Sequence, residues 1–94
     1  MNIGKLAKAF AALSQNSRIQ ILKLITNSGD DGICPCNLIE KLGLSNANLS
    51  FHLKELENSG LVEKKKNGRF IYYHANKKIV RDLGNFLLNN INKK

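Results

Sequence analysis

The hydrophobic pattern of this chain changes period at Gly60 and changes back near Lys77. Before Gly60 the apolar residues recur at helical spacing. From Leu61 to His74 they alternate, and after Lys77 the helical spacing returns. Such a pattern describes helices interrupted by one hairpin. Asn67-Gly68 lies inside the alternating stretch and is the preferred pair for a two-residue type I′ turn. It predicts strands over Leu61–Lys66 and Arg69–His74. Phe70, Tyr72 and His74 then face one way, and Ile71 and Tyr73 the other.

The helices are read from one-sided apolar stripes. Ile3, Leu6, Ala7, Phe10 and Leu13 predict a first helix over about 3–14. Ser17 with Gln20 fits a capping box opening the second, whose Ile19, Ile21, Leu22, Leu24 and Ile25 cover most of the circumference and predict a central position. After the polar loop from Asn27 to Gly32, Pro35 suits the first position of a third helix carrying Leu38, Ile39 and Leu42, which Gly43 stops. Ser45 is a good N-cap for a fourth helix lined by Leu49, Leu53 and Leu56. Val80, Leu83, Leu87 and Ile91, widened by Ile79 and Phe86, predict a last helix over about 77–92. That arc is wide enough for the domain's own core and for a partner. The length of 94 residues allows one domain, 1–94, with a modest core that dimerisation would help.

Charge narrows the partner. The chain carries +8 at neutral pH, and the twenty residues from Val62 to Arg81 hold seven cations (Lys64, Lys65, Lys66, Arg69, Lys77, Lys78 and Arg81) against the single anion Glu63. Nucleic acid is the leading partner for such a patch. A membrane surface fits less well, because the segment is not an amphipathic helix. No apolar run is long enough for a transmembrane span or a secretory core. Two cysteines one residue apart make no disulfide framework, so a cytoplasmic protein with reduced thiols is expected.

Two helices joined by a tight Gly-containing turn and followed by a basic hairpin form a winged helix-turn-helix. The fold class is mainly α with a small β-hairpin: about five helices plus a two-stranded wing. A helix roughly 10–12 Å across fits the DNA major groove. On the fourth helix, Asn46 and Asn48 suit bidentate pairing with adenine, Ser45 and Ser50 suit phosphate, and His52 and Lys54 can donate to phosphate or base. On the wing, Lys64, Lys65, Lys66 and Arg69 suit flanking phosphates. The plainer readings are polar residues that cap and solvate a helix, and lysines that protect an edge strand from aggregation. His74 reads as a satisfied strand histidine. Paired acid–base carboxylates, a nucleophile triad and a phosphate-binding glycine loop are all missing, so no enzyme is expected.

The run Leu42-Gly43-Leu44-Ser45-Asn46-Ala47-Asn48-Leu49-Ser50-Phe51-His52-Leu53-Lys54-Glu55-Leu56, then Gly60-Leu61-Val62, then Asn67-Gly68-Arg69-Phe70-Ile71-Tyr72-Tyr73, resembles the ArsR (arsenical-resistance, SmtB-type) repressors. Leu13 to Leu24, with Ser17-Arg18-Ile19, resembles that family's second helix. The resemblance implies a homodimeric repressor of double-stranded DNA at an imperfect inverted repeat. It places the dimer interface on the first and last helices, with Leu6, Phe10, Leu83 and Leu87. It matches Ser45, Asn46, Asn48, Ser50 and His52 to the reading helix, and Lys65, Lys66 and Arg69 to the wing. No cofactor is implied. A winged-helix protein-interaction module is the alternative, which an apolar patch over the fourth helix would favour.

Cys34-Pro35-Cys36 supplies a candidate effector site. Thiolates are soft ligands, their ionised form is favoured near a helix N-terminus, and two of them one residue apart can converge on one centre. One branch of the resembling family binds trivalent arsenic through a Cys-Val-Cys-Asp-Leu motif at this place. Cys34, Cys36 and Leu38 match it, whereas Pro35 and Asn37 depart from it and Ile39 stands where a third cysteine is frequent. The resemblance therefore implies As(III), Sb(III) or another soft metal as effector, with water, hydroxide or another thiol completing the ligand set. The last-helix zinc set of another branch is reduced here to Asp82 alone. Thiol oxidation and two inert small side chains remain open, although an i, i+2 disulfide is expected to be strained.

Overall fold

A computed structural model describes residues 2–92. In chain order it runs α1 (Ile3–Ala12), α2 (Asn16–Asn27), a single 3-10 turn (Gly29–Asp31), α3 (Pro35–Leu42), α4 (Asn46–Asn58), β1 (Val62–Asn67), β2 (Phe70–Ala75) and α5 (Lys77–Asn92). Five helices and one antiparallel hairpin match the sequence reading. Among the described residues, no helix is long and apolar enough to cross a membrane.

Local chemistry sets the boundaries. The Asn2 side chain accepts the Lys5 N–H at 2.8 Å and starts α1, which ends at Ala12 rather than near residue 14. The capping box expected at Ser17 does not form: α2 already begins at Asn16, and Gln15, the residue before it, makes no side-chain cap bond. The prediction at α4 is met, since Ser45 Oγ accepts the Asn48 N–H at 3.1 Å.

The core forms around α2. Ile21 and Ile25 are fully buried, and α2 packs on α3, α4 and β2. Leu38, Leu49, Leu53, Leu56 and Leu61 close the other sides. The helix is not covered all round, because Ile19 is half-exposed. Burying these aliphatic side chains supplies roughly 1.5–3 kcal/mol apiece.

The hairpin differs from its prediction by one residue. Asn67 pairs with Phe70, so the two loop residues are Gly68 and Arg69 rather than Asn67 and Gly68. Gly68 has φ +65°, and no residue other than glycine has a positive φ among the described residues. A type I′ turn needs positive φ at both central positions. Here a single glycine at the first loop position takes the left-handed conformation, and Arg69 moves to the tip.

The sheet also has a short third partner that the sequence reading missed. Ile33 bridges Tyr73 antiparallel, donating its N–H to Tyr73 O at 3.0 Å and accepting the Tyr73 N–H at 2.8 Å. The residue before Cys34 is thereby tied to the wing.

On α5, Leu83 enters the core and Phe86 lies tilted against Phe10 of α1, ring centroids 6.3 Å apart. Leu87, Leu88 and Ile91 stay exposed, as does Ile3 at the start of α1.

Candidate nucleic-acid interface

The turn from Gly43 to Ser45 joins α3 to α4, and the three buried leucines of α4 fix which side it presents. At about 100° per residue, Leu49, Leu53 and Leu56 point inward, which leaves Ala47, Phe51 and Lys54 outermost with Asn48 and Ser50 on the flanks. Ser45, Asn46, Asn48, Ser50 and Lys54 are all exposed. The sequence-predicted reading residues are thus all accessible along about the first two and a half turns of α4, except for His52, which is partly buried.

His52 turns partly inward. Its Nδ1 accepts a hydrogen bond from Arg18 Nε of α2 at 3.2 Å. Burial and the adjacent Arg18 charge both push its pKa below the ordinary histidine value. The neutral imidazole therefore carries its proton on Nε2, which remains as a donor.

Arg18 is the functional residue that sequence reading missed. It is buried, and its guanidinium lies 5.4 Å from the centre of the exposed Phe51 ring. Its signal was there to be read: Arg18, Ile21 and Ile25 stand at i, i+3 and i+7, one face of a helix. A cation on a core-facing stripe must find partners there, and it finds them on α4.

The wing brings Lys64, Lys65, Lys66 and Arg69 together, all exposed. Among the described residues, the ion pairs are Lys77 with Asp30 at 2.6 Å and Lys78 with Asp82 at 3.4 Å. The hydrogen bond and charge of Lys77 hold the Asp30 carboxyl below its usual value. Two of the seven cations counted from Val62 to Arg81 are thus spent inside the chain, while the wing cations are in neither pair. At its base the hairpin is anchored by Val62 and by Tyr73, whose hydroxyl pKa is pushed up by burial and the nearby Glu57 carboxylate. The ring of His74 lies under Gly32.

Cys34 and Cys36 stand at the joint between these two regions. Cys34 precedes α3, its carbonyl accepting the N–H groups of Asn37 at 3.1 Å and Leu38 at 3.3 Å. The two Sγ atoms are paired with each other and the Cα atoms are 5.4 Å apart. That separation falls in the ordinary range for linked cysteines. Among the described residues, no group of three or more His, Cys, Asp or Glu side chains is placed to hold a metal ion.

Of the residues assigned to the dimer interface, Leu6 and Leu83 are buried in the chain's own core and Phe10 is half-buried against Phe86, whereas Leu87 is half-exposed.

Comparison with known proteins places this arrangement. Residues 15–64 match the family model described as bacterial regulatory protein, arsR family. The chain is 34% identical over 83 residues to an arsenical resistance operon repressor of Staphylococcus aureus, covering 88% of this chain and 77% of that one. It is 32% identical over 77 residues to a cadmium resistance transcriptional regulatory protein CadC homolog of the same species, covering 82% of this chain but only 62% of the longer relative. An ArsR-like transcriptional regulator from Rhodococcus sp. RHA1 superposes with a TM-score of 0.81 at 31% identity, over 92% of this chain and 78% of that one.

Proposed function

The chain belongs to the arsR family of bacterial regulatory proteins, and from that premise we propose that it is a transcriptional repressor that binds operator DNA as a homodimer and is released by a thiophilic effector at Cys34 and Cys36. The observation that carries the DNA-binding part is an exposed polar stretch on α4, a helix packed against β1 of a hairpin whose cations are in neither ion pair of the described residues. In this reading Asn46 and Asn48 read base edges, Ser45, Ser50 and Lys54 meet phosphate or base, and His52 offers its Nε2–H. Lys64, Lys65, Lys66 and Arg69 hold the flanking backbone. The exposed Ile3, Leu87, Leu88 and Ile91 support a second copy seated on α1 and α5. Two-fold symmetry then calls for an imperfect inverted repeat with half-sites about 34–36 Å apart.

The effector part is supported by position. Ile33 is bonded through both backbone groups to Tyr73 of the wing, and Cys34 is the residue before α3, the helix that braces α4. A ligand that draws the two sulfurs onto one centre pulls on both. It releases DNA if it binds the low-affinity arrangement more tightly. As(III), Sb(III) or another soft metal fits two thiolates, with water, hydroxide or an external thiol as the third ligand. A second reading is favoured by the pairing of the two sulfurs. Two thiols and one peroxide give a disulfide and two waters, and oxidation itself is then the signal.

The test is fluorescence anisotropy of the reduced protein on its own upstream DNA, with arsenite, antimonite, cadmium, zinc or peroxide added in turn. Release by arsenite, lost in the Cys34→Ser, Cys36→Ser double variant, supports the metalloid reading. Release by peroxide alone transfers the switch to oxidation. Arsenite release that persists in the double variant removes the pair from the mechanism.

A further inference from the structure

The outward face of α4 is not wholly polar. Ala47 and Phe51, one turn apart, point away from the buried leucines, and Phe51 is 55% exposed. Single apolar side chains on a surface are ordinary. This one is supported in an unusual way. The buried Arg18 lies 5.4 Å from the ring centre, and the His52 ring stands tilted beside it with centroids 5.7 Å apart. Arg18 is in turn held by His52 Nδ1. Placing a cation in the interior is costly unless its partners compensate, and here those partners fix the direction of an aromatic ring that meets solvent.

We propose that Phe51, with Ala47 beside it, reads the 5-methyl group of a thymine in the major groove, an inference that rests on the DNA-binding reading above. The thymine methyl is the apolar feature of the major groove, and alanine and phenylalanine side chains suit it. Charge complementarity favours this occupant over a protein. Lys54 shares the outward face, Asn48 and Ser50 flank it, and the cationic wing lies next to it in sequence. Two apolar side chains are also too small a centre for a stable protein interface, which buries roughly 800 Å² per partner. The chain then combines two modes on one helix: amide hydrogen bonds from Asn46 and Asn48 to adenine, and an apolar contact from Phe51 to thymine. Both modes favour A·T pairs.

The experiment begins with duplexes selected by the full-length protein from a randomised library. Each thymine of the selected site is then replaced singly by deoxyuridine, which removes only the methyl group. At one thymine per half-site the wild type is expected to lose about fourfold in affinity, the value of one methyl at ~0.8 kcal/mol. Phe51→Ala is expected to bind the thymine duplex more weakly and to be indifferent to that deoxyuridine, while Asn48→Ala keeps the fourfold sensitivity. Thermal unfolding of Phe51→Ala checks that the variant is folded. A selected site tolerant of deoxyuridine everywhere overturns the proposal, as does a Phe51→Ala protein with undiminished sensitivity. Phe51→Ala binding every duplex as the wild type does also overturns it and hands this face to another partner. If the library yields no preferred sequence, the DNA-reading proposal fails and takes this one with it, an outcome distinct from a selected site that ignores the methyl groups.

Discussion

The reading helix and the wing are neighbours in sequence and opposites in chemistry. From Ser45 to Leu61 there is one lysine against two glutamates, whereas Lys64, Lys65, Lys66 and Arg69 stand within six residues. The helix is clamped by three buried leucines and by Arg18 from beneath. The hairpin is held at its base, by Val62, Tyr73 and the Ile33 bridge, and every residue from Glu63 to Ile71 is exposed. A rigid, nearly neutral helix suits discrimination between base edges, which tolerates little misplacement. An exposed cationic ribbon suits phosphate, which needs charge and reach more than geometry. In the proposed reading, affinity and specificity thus fall to separable parts of the chain.

The strongest way to break that division is to strip the wing. Lys64→Ala, Lys65→Ala and Lys66→Ala together are expected to weaken binding on the order of a hundredfold at low salt, equally for operator and scrambled DNA. The log–log salt slope is expected to fall by about 0.9 for each phosphate that the variant no longer neutralises. An unchanged slope removes the wing from the footprint. On the helix the expectation is reversed. Asn48→Ala is expected to cost about 1–3 kcal/mol on operator DNA and almost nothing on scrambled DNA, with the slope intact. Equal losses on both duplexes end the claim that this residue reads bases.

The two regions were unequally legible in the sequence. The period change, the Ser45 cap and the leucine spacing of α4 are local signals, and local signals place elements well. The hairpin tip slipped by one residue because Asn67-Gly68 and Gly68-Arg69 both offer a glycine, and strand register decides between them. Ile33 was invisible because a single-residue bridge has no periodicity. Arg18 was readable from its place on the Ile21 and Ile25 face, but its partners His52 and Phe51 lie more than thirty residues away. The sequence count of cations also overlooked two ion pairs: Lys78 with Asp82, readable at i, i+4 on one helix, and Lys77 with Asp30, 47 residues apart and visible only in three dimensions. Local pattern therefore located the candidate site, and long-range contacts determine how its residues are held.

Two glycines sharpen the view that the wing is anchored only at its base. Gly68, at the tip, has φ +65° and open space where a Cβ would go. Gly32, at the base, has φ +75°, and a Cβ there would stand 2.7 Å from the His74 ring and 2.9 Å from Tyr73 O. Gly32→Ala is expected to destabilise by roughly 2–3 kcal/mol, strained backbone plus overlap. Gly68→Ala is expected to cost about 1 kcal/mol from the backbone alone. Thermal unfolding measures both, and equal losses would mean that the packing of the 29–32 loop on the hairpin base contributes nothing.

The smallest expected effect tests the clamp on the reading helix. His52 is held neutral by burial and by Arg18, which donates to its Nδ1 from α2; Lys8 of α1 and Glu55 of α4 line a cavity with Arg18. Its pKa is lowered in the folded chain below the ordinary value of 6.5, so the unfolded chain takes up the proton first as pH falls. Stability from this group is therefore complete above about pH 6.5 and declines as the pH drops below it. Urea unfolding at pH 8, 6.5 and 5 is expected to show that decline in the wild type. Gln in place of His52 offers Arg18 a carbonyl acceptor and does not titrate, so His52→Gln is expected to flatten the decline over this range. The same decline in both proteins would show that another group titrates there and that the Arg18–His52 contact does not hold α4 in place. If the wild type alone declines, the reading helix weakens in mild acid through its support, while Asn46 and Asn48 keep their charge state.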